Sequence, residues 1–212
     1  MKVISNKKQN NKVIVLFDND NVISLFEDIF LEYRLFPNSE ISEDVYSKIF
    51  EQNEERIAIN FAKKILSIRM YSIKSIKTKL LRKISNENIV NRVINLLLEY
   101  KYLDDFEFAK LFIKDRLNNK KKGSVKIKFD LLKEGIEPEI IDELLSDIDI
   151  DTEITLAVKL AEAKIRTIKN SDEIKTKSKV YRFLQSRGFN SNICNSVLKQ
   201  LFKNNYLKTI TK

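Results

Sequence analysis

The sequence predicts a mainly α-helical protein, with tandem three-helix repeats forming an elongated, curved solenoid behind a small N-terminal β-hairpin and helix extension. Three observations predict it. Three glycines and two prolines in 212 residues supply too few left-handed turns and rigid corners for a sandwich or barrel of many tight hairpins. Ser72 to Ile94, Gly123 to Leu145 and Thr176 to Leu198 align without gaps at offsets of 51 and 53 residues, and their shared apolar positions follow helical spacing. Near the N-terminus, two β-branched runs flank Asp18, Asn19, Asp20 and Asn21, residues that tolerate turn conformations. A chain of this length can bury about 70% of its unfolded surface, so core size does not limit the fold.

Taken in order, Lys12 to Phe26 (KVIVLFDNDNVISLF) reads as a β-hairpin. Two strands are marginal alone, so a third short strand is expected near Ile29 to Tyr33, unless that stretch is a short helix. Pro37 and Asn38 break the chain. Ser42 is a good N-cap, followed by Glu43 and Asp44 where the helix dipole favours acid. Helical spacing then runs through Val45, Ile49, Phe50, Phe61, Ile65 and Leu66, with the polar stretch Glu51 to Arg56 expected to divide it into two helices.

In the repeats Ile76, Ile127 and Val180 coincide, as do Leu80, Leu131 and Leu184. The second halves align Ile89 with Ile140 and Ile193, Val90 with Ile141 and Cys194, Val93 with Leu144 and Val197, and Ile94 with Leu145 and Leu198. Each segment is therefore a helix, a short turn and a second amphipathic helix, with Gly135 and Gly188 at turns that need φ > 0. Ile84 stands there in the first copy, which must turn differently. A further helix is expected from Asp104 to Leu117, with capping-box spacing between Asp104 and Glu107 and a buried face of Phe108, Ala109, Phe112 and Ile113. Another runs from Asp151 to Ile168. The third copy keeps only NNYLKTITK after Lys203, so its last helix is expected to be short or absent. These readings divide the chain into an extension at 1–60 and repeats at 61–120, 121–170 and 171–212. Repeats that touch mainly their neighbours favour an elongated form.

Composition removes much of enzymology. With no histidine and a single cysteine, Cys194, the chain lacks the means for Ser-His-Asp or Cys-His catalysis, histidine or Cys-rich zinc sites, and disulfides. No phosphate-cradling loop occurs: Gly123 stands alone after three lysines. Asp104 and Asp105 invite a reading as catalytic or metal-binding carboxylates, but a helix start explains them at least as well, and a two-metal nuclease needs converging partner carboxylates, whereas Asp142, Glu143, Asp147, Asp149 and Asp151 read as ordinary solvated helix-end charges. Cys194 shares a core-face position with Val90 and Ile141 and reads as a small hydrophobe. No catalytic residue, metal or cofactor is expected. The lone thiol, the absence of an apolar leader and of long apolar runs point to a cytoplasmic protein without a membrane segment.

Charge is distributed unevenly. Residues 1–60 carry 7 basic and 11 acidic side chains, and residues 61–212 carry 32 and 19. The basic residues cluster at matching places in the repeats: Lys74, Lys77, Lys79, Arg82 and Lys83; Lys120, Lys121, Lys122, Lys126 and Lys128; Lys175, Lys177, Lys179, Arg182 and Arg187. A lysine-rich solvated face is the plain reading. The functional one is an electropositive strip suited to DNA phosphates or to acidic surfaces of a polymeric partner. Tyr71, Phe129 and Tyr181 lie near these clusters and are candidates for base stacking, although aromatics at helical spacing more often serve the core.

The run Tyr102, Leu103, Asp104, Asp105, Phe106, Glu107, Phe108, Ala109 resembles the "YLDD, two residues, FA" signature of the RecX family, bacterial regulators of the recombinase RecA. Leu66, Arg69, Ser72, Lys79 and Leu80 before it, and Lys122, Gly123, Ile127, Leu131, Gly135 and Ile136 after it, are similar to the family's flanking patterns. Ile84 and Ser75 depart from it, where glycine and glutamate are usual. The N-terminal hairpin with its acidic surroundings is similar to an extension of longer members from Gram-positive bacteria. The resemblance implies a monomer that lies in the groove of the RecA filament on single-stranded DNA, with weak nucleic-acid contact. It also implies lowered ATP hydrolysis, strand exchange and co-protease action, limiting recombination and the SOS response. Two other classes remain open. One is a helix-turn-helix transcriptional regulator using Phe129 to Leu145, and the other is a metal-dependent nuclease.

Overall fold

The structure is a computed structural model that describes residues 1–169 and 172–203. The expected tail of the third repeat, NNYLKTITK, lies outside them. The chain forms two compact units, residues 1–103 and 104–212.

The first unit opens on a three-stranded antiparallel sheet, β1 (Val3–Gln9), β2 (Lys12–Phe17) and β3 (Val22–Phe26), in that order. The hairpin β2–β3 is the expected one, with Lys12 opposite Phe26 and Leu16 opposite Val22. Asp20 takes the positive φ that the turn requires. The third strand is not at Ile29 to Tyr33 but at the N-terminus, pairing with β2. Its polar sequence VISNKKQ hid it, because only Val3 of the strand is fully buried. Glu27–Glu32 is the short helix α1. Val13, Val15, Phe17, Ile23 and Leu25 fill the inner sheet face, closed by Ile29, Phe30, Leu35 and Ile49.

Helix α2 (Glu43–Leu66) follows, capped by Ser42, whose hydroxyl accepts the Val45 N–H. The expected break at Glu51 to Arg56 does not occur. The polar side chains there have tertiary partners, so the helix need not end to solvate them. Asn53 is buried, donating to the Ser24 carbonyl at 3.1 Å and accepting the Phe26 N–H at 3.3 Å. Glu51 and Glu55 both hold Arg92, at 3.3 and 3.2 Å, and Arg56 pairs with Asp28. Asn53 thus satisfies an edge of the sheet that would otherwise need another strand.

Helices α3 (Ile73–Leu81) and α4 (Glu87–Glu99) pack with the second half of α2 around Ala58, Ala62, Ile76, Leu80, Ile89, Val90, Val93 and Leu97. The second unit repeats this arrangement twice. Helices α5 (Asp105–Asn118), α6 (Ser124–Glu134) and α7 (Pro138–Ser146) enclose Ala109, Ile113, Ile127, Leu131, Ile136 and Ile141. Helices α8 (Ile150–Arg166), α9 (Glu173–Arg187) and α10 (Ser191–Lys203) enclose Ala157, Ala161, Val180, Leu184, Phe189, Cys194 and Val197. Every aligned apolar pair of the first repeat helices is fully buried. The phase differs from the expected bounds at 61–120, 121–170 and 171–212. Each core is shared by a long helix and the helix pair that follows it, so the third set has its long helix in α8.

Gly135 and Gly188 take φ of 82° and 90°, the left-handed caps read from the sequence. The first copy manages without one: Ile84 is itself buried, and its N–H returns to the Leu80 carbonyl at 2.8 Å. Ile136 and Phe189 do the same job one residue later, reaching back to Leu131 and Leu184. Ser85 makes up the length before Asn86 caps α4.

Candidate cationic interface

Among the predicted cations, Lys77, Lys122, Lys126, Lys128, Lys175 and Lys177 are tied into ion pairs. In the first cluster, Lys77 holds Glu87 at 3.0 Å. Lys79 lies 5.2 Å from the Tyr71 ring, with Arg69 4.3 Å from the same ring. A hydrogen bond to Arg69, opposed in part by burial and helped by the charges of Arg69 and Lys79, holds the Tyr71 hydroxyl below its usual range. Tyr71 packs against the α2–α3–α4 core, and Lys83 sits over Phe61 at 5.1 Å. Lys74 and Arg82 are exposed.

In the second cluster Lys120 and Lys121 are exposed between α5 and α6, with Lys121 at a φ of 50°. Lys122 and Lys126 turn to Asp130, at 2.8 and 3.4 Å. Burial pushes the Asp130 carboxyl up, but the bond and charge of Lys122, together with Lys126, outweigh it and hold it below the usual carboxylate range. Lys128 pairs with Asp142 and so fastens α6 to α7. The third cluster has Lys175 on Asp172 at 3.2 Å and Lys177 on Glu173 at 2.7 Å. Lys179, Arg182 and Arg187 are exposed, and Arg187 lies 5.3 Å from the Phe183 ring. A groove of about 250 Å³ on α9 and α10 gathers Lys177, Tyr181 and Arg182. Of the three candidate stacking rings, Tyr71 and Tyr181 pack on cores. Phe129 is 49% exposed, between Lys126 and Lys133.

The second and third clusters meet at a junction that the sequence did not announce. The Gly123 N–H donates to the Arg187 carbonyl at 3.0 Å, and the Val125 N–H to the Gly188 carbonyl at 3.1 Å. Glu153, buried in the first turn of α8, accepts the Ser124 N–H at 2.7 Å. Helix α6 has glycine at its N-cap and no side-chain cap of its own, so Glu153 serves in that place from the next three-helix set. A Cβ on Gly123 would stand 2.4 Å from the Gly188 oxygen, and one on Gly188 2.2 Å from the Lys126 Cβ. Both positions therefore require glycine. The first cluster belongs to the other compact unit.

Asp104 is a cap, accepting the Phe106 and Glu107 N–H groups at 2.9 and 3.0 Å, while Glu107 turns to Lys110. Among the described residues no three His, Cys, Asp or Glu side chains converge as a metal cage, and no helix is long and apolar enough to cross a membrane.

Residues 104–145 match the second three-helix domain of RecX, and residues 151–198 match the third. The regulatory protein RecX of Clostridium perfringens is 31% identical over 204 residues, 95% of each chain. That of Clostridium acetobutylicum is 33% identical over 208 residues, 96% of each. The chain belongs to the RecX family. A crystal structure of regulatory protein RecX superposes with a TM-score of 0.70 at 24% identity, over 92% of this chain and 98% of that one. RecX from Lactobacillus salivarius gives 0.66 at 23% identity, over 71% and 97%. The RecX domain bounds agree with the cores: each matched segment starts on a long helix, as α5 and α8 do. A regulatory role follows from the family, and the junction at Gly123 and Gly188 joins two of its domains.

Proposed function

We propose that this protein is a non-enzymatic modulator, mostly an inhibitor, of the RecA recombinase. It lies in the groove of the filament that RecA forms on single-stranded DNA, as a monomer, and lowers ATP hydrolysis, strand exchange and co-protease action. Recombination and the SOS response are thereby limited. The observation that carries this reading is the recurrence of exposed cations at corresponding places of three helical domains in a RecX-family chain. Lys74, Arg82 and Lys83, Lys120 and Lys121, and Lys175, Lys179, Arg182 and Arg187 are all exposed. Several weak contacts spaced along one chain add through effective concentration when the partner is itself a repeating polymer. Inhibition is then by occupancy.

A helix-turn-helix regulator is the alternative, with α6 and α7 joined at Gly135. A recognition helix needs Arg, Asn or Gln toward the major groove. Helix α7 instead exposes Glu139, Asp142 and Glu143, which meet phosphates badly.

The test is titration into ATP-hydrolysing recombinase filaments from the same organism, recording turnover and co-sedimentation at several salt concentrations. Lys120→Glu with Lys121→Glu should weaken both and flatten the salt dependence; Lys122 is left in place because it anchors Asp130. Unchanged binding and salt sensitivity would overturn the assignment of the contact, and a defined footprint on duplex DNA would favour the alternative.

A further inference from the structure

A cleft in the first unit, outside the fifteen predicted cations except for Lys83, carries its own chemistry. Ile57, Asn60, Phe61, Lys64 and Ile65 form one face of α2 beneath it, with Lys12 and Phe26 from the sheet on one side and Lys83 beyond α3 on the other. The space is about 410 Å³, within the range of ligand-holding clefts. Among the described residues that line it there are three ammonium groups and no carboxylate. The nearest acid in sequence to Phe26 is Glu27, already held by Lys8 at 2.6 Å. Another cavity along α2 differs in mixing both signs: Asp28, Glu32, Glu51 and Glu55 line it together with Lys48, Arg56 and Arg92, and the two arginines are held by these acids.

Two rings face the lysines. Lys12 lies 4.9 Å from the Phe26 centroid and Lys83 5.1 Å from that of Phe61. An aromatic face is electron-rich, so it attracts cations and stacks with flat bases but repels carboxylates. Ammonium groups over half-buried rings thus suit a ligand that is anionic along its backbone and flat along its side, and suit an acidic peptide poorly. Length points the same way. Lys12 and Phe26, opposite one another across β2 and β3, also line a depression of about 450 Å³ that continues over Gln9, Asn10, Ile14 and Ser24. An extended polymer can pass from one to the other.

We propose that this cleft is a site for single-stranded nucleic acid, with Lys12, Lys64 and Lys83 receiving phosphates and Phe26 and Phe61 receiving unstacked bases. A base enters beside or in place of the ammonium over its ring, and the released ammonium turns to the adjoining phosphate. The proposal takes its partner from the filament reading and adds a second contact region, on the N-terminal unit, to the clusters of the helical domains.

The experiment is fluorescence anisotropy with the full chain and a short labelled oligothymidylate, without recombinase. Lys12→Glu with Lys64→Glu should weaken binding by about tenfold or more and lower the slope of log K against log salt by about 1.4, from two lost phosphate contacts on a single strand. An abasic oligomer of equal length should bind the unaltered protein more weakly than the thymidylate does. A melting curve checks that both lysine variants fold, and Lys12→Gln with Lys64→Gln serves if the reversal destabilises. Unchanged affinity and slope in the folded variants would overturn the site. Equal binding of the abasic strand would overturn the role of the rings, and displacement by polyglutamate at equal charge would replace nucleic acid with an acidic peptide. Lys120→Glu with Lys121→Glu, run in parallel on filaments, keeps the two readings apart: loss there alone leaves the filament reading standing and removes this one.

Discussion

Placing a methyl group at Gly123 tests how the second and third RecX domains are held together. Gly123 has φ of −80° and ψ of 164°, extended backbone that alanine adopts without strain, so Gly123→Ala probes contact alone. The new Cβ would stand 2.4 Å from the Gly188 oxygen and 2.6 Å from the Gly188 carbon and the Phe189 nitrogen. All three are backbone atoms and cannot rotate away. Relief requires α6 to withdraw from the end of α9, which breaks the Gly123 and Val125 bonds to Arg187 and Gly188 and strains the Ser124 bond to Glu153. Leaving buried polar groups unpaired costs about 1–3 kcal/mol each, so the variant should lose about 2–5 kcal/mol. Gly188→Ala adds a left-handed φ that costs alanine about 1–2 kcal/mol more. Gly135→Ala, at φ of 82° on an exposed turn, should show that conformational cost without the junction.

Urea denaturation of the three variants should therefore rank Gly188→Ala as worst, Gly123→Ala next and Gly135→Ala mildest. Hydrogen exchange should show the Gly123 and Val125 amides losing protection in the first two only. A Gly123→Ala midpoint equal to that of the unaltered protein, or one above that of Gly135→Ala, would refute the claim that backbone docking at this point joins the domains.

Three further outcomes follow from single side chains. Asn53→Asp keeps the size but removes the amide donor to the Ser24 carbonyl; it should cost about 1–3 kcal/mol in urea denaturation, with the sheet losing exchange protection first. Asp130 has a carboxyl held below its ordinary range by Lys122 and Lys126, so its contribution is full above the unfolded carboxylate pKa and is lost as pH falls through the folded one. The stability gap between the unaltered protein and Asp130→Asn should accordingly be largest near neutrality and close in acid, by chemical denaturation at several pH values. Cys194 is buried, its thiol pushed up first by burial and further by the charge of Glu153, against a backbone hydrogen bond that lowers it. Alkylation of the native protein should track global unfolding, and fast labelling without denaturant would show an opening that the packing does not predict.

Much of the helical architecture was legible because burial repeats with it. Leu80, Leu131 and Leu184 align in sequence and are all fully buried, and positive φ at Gly135 and Gly188 follows from what only glycine does cheaply. Asp104 as a cap was equally local. What escaped notice depends on partners distant in the chain. Glu51 to Arg56 looks like a helix breaker until Asn53 meets the sheet 27 and 29 residues away and Arg92 arrives from α4. Strand β1 shows no alternation because, beyond Val3, neither of its faces is buried in the core. Glu153 looked like an ordinary first-turn acid, and its real partner, Ser124, is 29 residues back. Among the cations, pairing of Lys126 with Asp130 had a visible i,i+4 signal, whereas Lys122 to Asp130 and Lys128 to Asp142 depended on how the chain closes. The cleft over Phe61 was hidden for a similar reason. Its lysines come from a strand, a helix and a turn that no sequence window spans.

Helix α2 enters two cores at once, with Ile49 in that of the sheet and Ala58 and Ala62 in that of the three-helix set. Its 24 residues make a rod of about 36 Å without a glycine or proline at which to hinge. Torque applied at the sheet is therefore delivered to α3 and α4 rather than dissipated in a linker, and the two cores should melt as one foldon. What looks in sequence like an appendage is mechanically part of the first helical domain.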